Sequence, residues 1–136
     1  MARRVVVTGM GVLACNGRDV ASYWEALQAG RHGIGLITHV DTEKHKTKFG
    51  GQVVGTNLEL ATALGDPKSA RRKDRFVLLA LTAAAEAMRS SGLDHKQWAD
   101  PFRVATIVGS GIGGLQTIED EMRVTPGFAE FMPACR

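Results

Sequence analysis

Two short apolar runs that each lead directly into glycines constrain the fold more than any other feature of this chain. The first, residues 5–7, is three valines followed by Thr8-Gly9-Met10-Gly11. The second, residues 103–108, leads into residues 109–114, called here the glycine loop, where four of the six residues are glycine. Apolar β-branched runs that end in turn residues are typical of strands buried on both faces. The pattern therefore predicts two central strands of one sheet, each followed by a tight turn.

Helical spacing follows the first predicted strand. Asp19 precedes a stripe of apolar residues, and Gly30 follows it, so a surface helix with one buried stripe is predicted between them. Residues 31–48 are irregular and polar, and residues 49–55 predict a short strand flanked by glycine. The apolar stripe consists of Val20, Tyr23, Trp24 and Leu27.

A longer helix is predicted from Asp66-Pro67 to about Ser91-Gly92. A carboxylate can accept backbone N–H groups at a helix start, and proline is tolerated at the first helical position. Residues 76–85 are apolar around nearly the whole circumference, which predicts a helix buried on all sides. A last helix is predicted at residues 115–124. The order strand, helix, helix, strand, helix predicts an α/β layered fold, with right-handed crossovers for parallel strands.

The composition is that of an ordinary globular protein. The chain has 136 residues, of which 44% are hydrophobic and 23% are charged. These values suit one domain and exclude a disordered or fibrous chain. No apolar run is long enough to cross a bilayer, and the first residues do not form a secretion signal. Two cysteines at opposite ends form no disulfide framework, so we expect a reduced, cytoplasmic protein with no membrane partner.

Positive charge is concentrated in one place. The chain has 17 Lys and Arg against 14 Asp and Glu, a net charge of +3 that is too small to predict nucleic-acid binding. Residues 68–75, called here the basic segment, hold five basic residues and one acidic residue. Lys68, Arg71 and Arg72 lie at the predicted helix start, where the helix dipole favours negative charge, and they predict an acidic partner. Charge alone does not separate this interpretation from a solvated charged face.

The first glycine turn also raises the alternative of a nucleotide-binding α/β domain. Gly9-Met10-Gly11 matches the first part of a dinucleotide-binding motif, but Ala14 stands at the third glycine position. No acidic residue follows about twenty positions later at the end of a second strand, as that motif needs. Tight packing is the competing interpretation of both glycine turns, and no cofactor is expected.

The metal-binding and nucleophilic residue types form no recognisable site. Cys15 is interpreted as a small, partly buried thiol. Cys135 is rejected as a nucleophile because no residue after it supplies a base. No metal is expected, since four polar residues close in sequence match no ligand spacing and predict a solvated loop. These four residues are His39, Asp41, Glu43 and His45.

Four motifs, in one order along nearly the whole chain, carry a family resemblance. They are Arg3-Arg4-Val5-Val6-Val7-Thr8-Gly9-Met10-Gly11, Trp24-Glu25-Ala26-Leu27 with Gly30 and Gly33-Ile34, Arg71-Arg72-Lys73-Asp74-Arg75-Phe76, and Gly109-Ser110-Gly111-Ile112-Gly113-Gly114. Together they resemble the amino-terminal portion of the β-ketoacyl-acyl-carrier-protein synthase II family, in the ketosynthase branch of the thiolase-like fold. The turn at residues 14–17 and the tail at residues 125–136 depart from the family pattern.

The resemblance implies a partial thiolase-like layered fold, the amino-terminal part of the first αβ repeat. It implies an elongating condensing enzyme of fatty-acid synthesis, in which malonyl carrier protein is decarboxylated and the carbanion attacks an acyl thioester held on a cysteine. That cysteine, two histidines and a lysine lie later in the family than Arg136. Residues 1–136 are therefore expected to form the amino-terminal part of a synthase domain, truncated before its catalytic region and inactive alone.

The resemblance also implies binding residues. Lys68, Arg71 and Arg72 match the family's patch for acyl carrier protein. Ile112 borders the acyl pocket in similar enzymes, and Phe131 lines the same region near the interface of a homodimer. A non-catalytic carrier-protein-binding module is the alternative function.

Overall fold

Four α-helices and one small sheet form the regular structure that the described residues adopt. The computed structural model describes residues 4–94, 96 and 100–124. Strands β1 and β2 pair antiparallel, with Ile34 opposite Gly51, and form the only sheet in these ranges. The elements are α1 (Val20–Gln28), β1 (Ile34–Leu36), β2 (Phe49–Gly51), α2 (Asn57–Ala63), a 3₁₀ helix (Pro67–Arg71), α3 (Arg75–Ser91), a second 3₁₀ helix (Pro101–Arg103) and α4 (Leu115–Val124).

The first two helices begin with reciprocal side-chain caps. At α1 the Ser22 N–H donates to the Asp19 carboxylate over 2.7 Å, and the Asp19 N–H donates to Ser22 Oγ over 3.3 Å. At α2 the Glu59 N–H donates to Thr56 Oγ1 over 3.2 Å, and the Thr56 N–H donates to the Glu59 carboxylate over 2.6 Å. The Ser22 backbone and hydroxyl lower the pKa of Asp19, and those of Thr56 lower the pKa of Glu59.

Helix α1 matches the prediction in its limits but not in its packing. It begins after Asp19, and Gly30 follows it with a φ of 65°. Ala26 is its one buried residue, whereas Trp24 is 59% exposed and Leu27 is 47% exposed. The predicted buried stripe is therefore wrong for Trp24 and Leu27, because no described residue covers that side of the helix.

The single long helix predicted from Asp66 is wrong, because the chain forms two helices there. The 3₁₀ helix Pro67–Arg71 ends before Asp74, whose backbone is extended, and α3 begins at Arg75. The Asp66 side chain makes no capping hydrogen bond. Like charges three and four positions apart destabilise an α-helix, which disfavours a continuous helix through the basic segment. Helix α3 ends as predicted, with Gly92 in the left-handed conformation at a φ of 67°.

The core lies where α2, the first 3₁₀ helix and α3 meet. Leu60, Ala61 and Leu78 are almost completely buried there. Helix α3 was expected to be buried on all sides, but Leu81 is 40% exposed and Met88 is 37% exposed. That expectation is wrong because the described elements cover only part of the helix surface.

The amino-terminal segment crosses α3 at close range. A Cβ on Gly9 would collide with the Ala87 carbonyl oxygen, and a Cβ on Gly11 would collide with that of Ala83. The Glu86 carboxylate also accepts the Val12 N–H over 2.9 Å and the Val20 N–H over 2.8 Å. The two glycines therefore allow close helix packing, and the first turn lies later, where the Ala14 N–H donates to the Gly17 carbonyl.

The two predicted central strands are wrong for the described structure. Residues 5–7 and 104–108 form no ladder, and Arg103, where the second strand was predicted to begin, belongs to the second 3₁₀ helix. Val5 is 91% exposed, and Ile107 is 92% exposed. A strand needs a neighbour for its backbone N–H and C=O groups, and the described residues provide none beside these segments. The mixed helix and strand class is confirmed, and α4 covers the helix predicted at residues 115–124.

Candidate functional site

A cleft of about 820 Å³ lies between the basic segment and the glycine loop. The first turn of α3 and the first turn of α4 also line it, so parts of the chain about forty positions apart meet at one place. Phe76 and Leu79 give the cleft an apolar portion beside its charged rim. The lining from the basic segment is Ala70, Arg71, Arg72, Lys73, Asp74 and Arg75, and that from the loop and α4 is Gly113, Gly114, Leu115, Gln116, Thr117 and Asp120.

Two cations of the basic segment are engaged within the chain. The Lys73 ammonium lies 3.4 Å from the Asp66 carboxylate. The Arg75 guanidinium donates to the Val53 carbonyl over 2.7 Å and to the Gly55 carbonyl over 2.9 Å. These bonds hold the loop before α2 against the start of α3, so Lys73 and Arg75 have structural roles.

The other three cations of the basic segment face solvent. Lys68, Arg71 and Arg72 are exposed, and their side chains have no hydrogen-bond or ion-pair partner within the described part of the chain. Arg71 and Arg72 line the cleft, whereas Lys68 lies outside its lining. Because Lys68 and Arg71 belong to the 3₁₀ helix, they do not begin a long α-helix, and the predicted opposition to a helix dipole does not apply to them.

Asp74 joins the basic segment to the glycine loop. The Thr117 hydroxyl donates a hydrogen bond to the Asp74 carboxylate from 43 positions away. The same carboxylate lies so close to Gly114 that a Cβ there would collide with it. Phe76 adds a second contact, because its ring atoms lie 3.7 Å from the Cβ position of Gly113. The first turn of α3 therefore fixes where α4 begins.

The glycine loop turns sharply but does not enclose Ile112. Gly113 has a φ of 78°, and its N–H donates to the Ser110 hydroxyl over 2.9 Å. Ile112 is 68% exposed and lies outside the cleft lining. Its predicted place beside an acyl pocket stays a prediction, and Phe131 lies outside the described residues together with Cys135.

The remaining polar candidates do not gather into a site. His39, Asp41, Glu43 and His45 are exposed, and of these four only His39 lines the cleft. No group of three metal-ligating side chains occurs among the residues that the structure describes. Cys15 is partly buried, and a Cβ on Gly51 would lie 3.0 Å from its sulfur. Within the described ranges no helix is both long and apolar enough to span a membrane.

Sequence reasoning missed two residues of this site, one helix, and strand β1, which lies within the stretch predicted to be irregular. Asp74 and Thr117 are ordinary polar residues in sequence, and no local pattern indicates that they meet. Helix α2 did carry a readable signal, because Thr56 followed three positions later by Glu59 is a capping-box pattern.

Comparison with known proteins decides the family. A family model described as the N-terminal domain of β-ketoacyl synthase matches residues 2–134. The chain belongs to the β-ketoacyl synthase family. The predicted resemblance is therefore confirmed, and the nucleotide-binding and stand-alone binding-module alternatives are not favoured.

Several relatives within the β-ketoacyl synthase family are named 3-oxoacyl-[acyl-carrier-protein] synthase 2. The Staphylococcus aureus (strain COL) protein is 42% identical over 118 residues, which is 86% of this chain and 27% of that protein. The Vibrio cholerae protein is 43% identical over 117 residues, with the same shares. The Synechocystis protein is 36% identical over 122 residues, which is 90% of this chain and 28% of that protein. The chain thus spans about a quarter of the length of these relatives.

Proposed function

We propose that this chain forms the amino-terminal part of a 3-oxoacyl-acyl-carrier-protein synthase and supplies its docking surface for acyl carrier protein. The whole enzyme condenses malonyl carrier protein with an acyl thioester. The proposal is supported by the family match and by the names of the relatives. Its docking part depends on one observation, the three exposed cations Lys68, Arg71 and Arg72 that have no partner in the described part of the chain.

The chemistry of these cations suits an acidic protein surface. Exposed charges raise the association rate and orient a partner of opposite charge, and salt weakens both effects. Because Lys73 and Arg75 are already engaged, a partner that meets Lys68, Arg71 and Arg72 breaks no existing ion pair. Acyl carrier protein, the acidic partner that the family resemblance implies, fits this surface.

A binding measurement with matched variants tests the docking proposal. Acyl carrier protein is titrated into the 136-residue chain at about 0.01 M and about 0.15 M salt, where the screening length falls from about 30 Å to about 8 Å. We expect a Kd that rises with salt and rises at least about tenfold in the variant Arg71→Glu with Arg72→Glu. The control Lys44→Glu with Lys46→Glu makes the same charge change on an exposed loop and should bind like the wild type. Equal losses in both variants would argue against a specific surface.

The acyl pocket and the layered fold are further parts of the proposal. We infer that Ile112, with Phe131, borders the acyl chain, and that residues 5–7 and 104–108 become sheet strands of a thiolase-like homodimer when neighbouring strands pair with them. The exposure of Val5 and Ile107 supports this, since both are strand-forming residues without a partner. Alone, the 136-residue chain should release no 3-oxoacyl product from malonyl and acyl carrier protein. Turnover that disappears on substitution of Cys15 or Cys135 would overturn that expectation.

A further inference from the structure

We propose that the contact between Asp74 and Thr117 is a charge-sensitive latch, which opens when an acidic partner docks on the basic segment and thereby releases the glycine loop. This inference rests on the proposed docking function and adds a regulatory role at the same site. It depends on three features. The basic segment and the glycine loop line the same cleft, Asp74 of the basic segment contacts the glycine loop and the beginning of α4, and Asp74 carries the same charge as an acidic partner.

The docking residues and the glycine loop share one space. Arg71 and Arg72 line the same cleft as Gly113 and Gly114. A partner that contacts the two arginines therefore reaches the rim formed by the loop. Coupling between the arginines and the glycine loop therefore needs no chain of intermediate residues, because both line the cleft.

Asp74 is the direct link across this cleft. It follows Arg72 by two positions, and its carboxylate accepts the Thr117 hydroxyl and presses against Gly114. The structure shows the closed arrangement, in which the hydroxyl bonds to the carboxylate. In the open arrangement of the proposal, the carboxylate turns to solvent and the beginning of α4 is free to move.

The charge of Asp74 explains why docking of an acidic partner favours the open arrangement. Asp74 is the one acidic residue in the basic segment. Carboxylates of a partner that pair with Arg71 and Arg72 come close to Asp74 and repel its charge, which favours the open arrangement. A ligand shifts an equilibrium only through such a difference in interaction between two states. By linkage, loosening the latch must in turn strengthen docking.

The reciprocal effect separates a latch from a merely structural contact. Thr117→Val removes the donor hydroxyl without changing the charge. We expect it to lower the Kd for acyl carrier protein by about fivefold or more, the lower end of typical coupling between sites. Thr117→Ser keeps the hydroxyl and should bind like the wild type. In an Asp74→Asn background, where no charge remains to be repelled, Thr117→Val should have no further effect.

A second variant disturbs the same contact by displacing Asp74 instead of removing the Thr117 hydroxyl. In Gly114→Ala the added methyl group displaces the Asp74 carboxylate, so this variant should also bind more tightly. Gly111→Ala is its control, because a Cβ there has no neighbour within 4 Å and the backbone φ is not positive. Gly114→Ala also keeps the test decisive if Thr117→Val does not fold, which circular dichroism detects.

The titrations use the full 136-residue chain and purified acyl carrier protein at low salt. A wild-type chain that does not bind overturns both proposals. A wild-type chain that binds overturns only the latch if Thr117→Val and Gly114→Ala bind with unchanged or weaker affinity. Tighter binding that persists in the Asp74→Asn background also overturns it, because the hydroxyl then acts by direct contact with the partner.

Discussion

The α2–α3 core and the two apolar segments at residues 5–7 and 104–108 contain the same kinds of side chain but have opposite surroundings. Leu78 is completely buried, whereas Ile107 is 92% exposed. A helix makes its backbone hydrogen bonds within itself, so it can form first and then pack one side. A strand depends on neighbours for its hydrogen bonds. The difference shows that burial in the described structure follows the helices, which satisfy their own backbone groups, and not the two extended apolar segments, which have no neighbouring strand among the described residues.

The sharpest test of this contrast replaces one aliphatic residue in each region. Leu78→Ala should lower the free energy of unfolding by about 2–5 kcal/mol, because it leaves a cavity in the core. Ile107→Ala should change it by less than about 0.5 kcal/mol. Urea unfolding followed by circular dichroism measures both. A large loss in Ile107→Ala would show that residues 104–108 are packed after all.

The next largest effect concerns the polar bonds that support the core. Arg75→Met keeps the length of the side chain but leaves the Val53 and Gly55 carbonyls without their donor. We expect a loss of about 1–3 kcal/mol in the free energy of unfolding, the usual cost of unsatisfied polar groups. Arg71→Met is the matched control, since Arg71 has no described partner, and it should lie within about 0.5 kcal/mol of the wild type.

A smaller effect on helix stability is expected when the pH is lowered. The folded pKa values of Asp19 and Glu59 lie below their ordinary values, so their capping stabilises the helices fully above those ordinary values. The contribution is lost as pH falls through the lowered pKa values. Helix content followed from pH 7 into the acid range should therefore decrease, and Asp19→Asn with Glu59→Gln should flatten the decrease. Residues 5–7 and 104–108 have no titratable side chain and contribute nothing to it.

The smallest effect on stability is expected in the apolar segments, where solubility should change instead. Val6→Lys with Ile107→Lys should leave the free energy of unfolding within about 0.5 kcal/mol of the wild type. Exposed apolar segments with unpaired backbone groups favour association between chains, and lysine opposes it. Light scattering against concentration should show less association than in the wild type. Val40→Lys, at an exposed loop position, serves as the control and should leave association unchanged.

The elements that were predicted correctly carry their signals locally. Asp19 and Gly30 delimit α1, and Gly92 ends α3, because capping depends on neighbouring residues. The break before Asp74 was missed, since Asp66-Pro67 carries a helix-start signal and the repulsion between the cations that follow it was not counted. The segments at residues 5–7 and 104–108 have the composition of buried strands, but burial also requires partners that a local pattern does not supply.

For the candidate site, the sequence indicated the charged residues but not the contacts between distant residues. The charge of Arg71 and Arg72 is visible in sequence, and the structure leaves both exposed at a cleft. The contact of Asp74 with Thr117 joins residues 43 positions apart, so it depends on the fold and not on spacing. Engagement of Lys73 and Arg75 is likewise a tertiary property. Sequence gives the number of cations, and only the structure shows which of them are available.

The Glu86 carboxylate has a consequence for the order of folding. Its two oxygens hold backbone amides 74 and 66 positions earlier in the chain, which means that long loops must close before either bond exists. Such closure comes at an entropic cost that rises with loop length. We expect α2 and α3 to associate first and the amino-terminal segment to join them late. In Glu86→Gln the Val12 and Val20 amides should exchange with solvent faster, while the Leu78 amide stays protected.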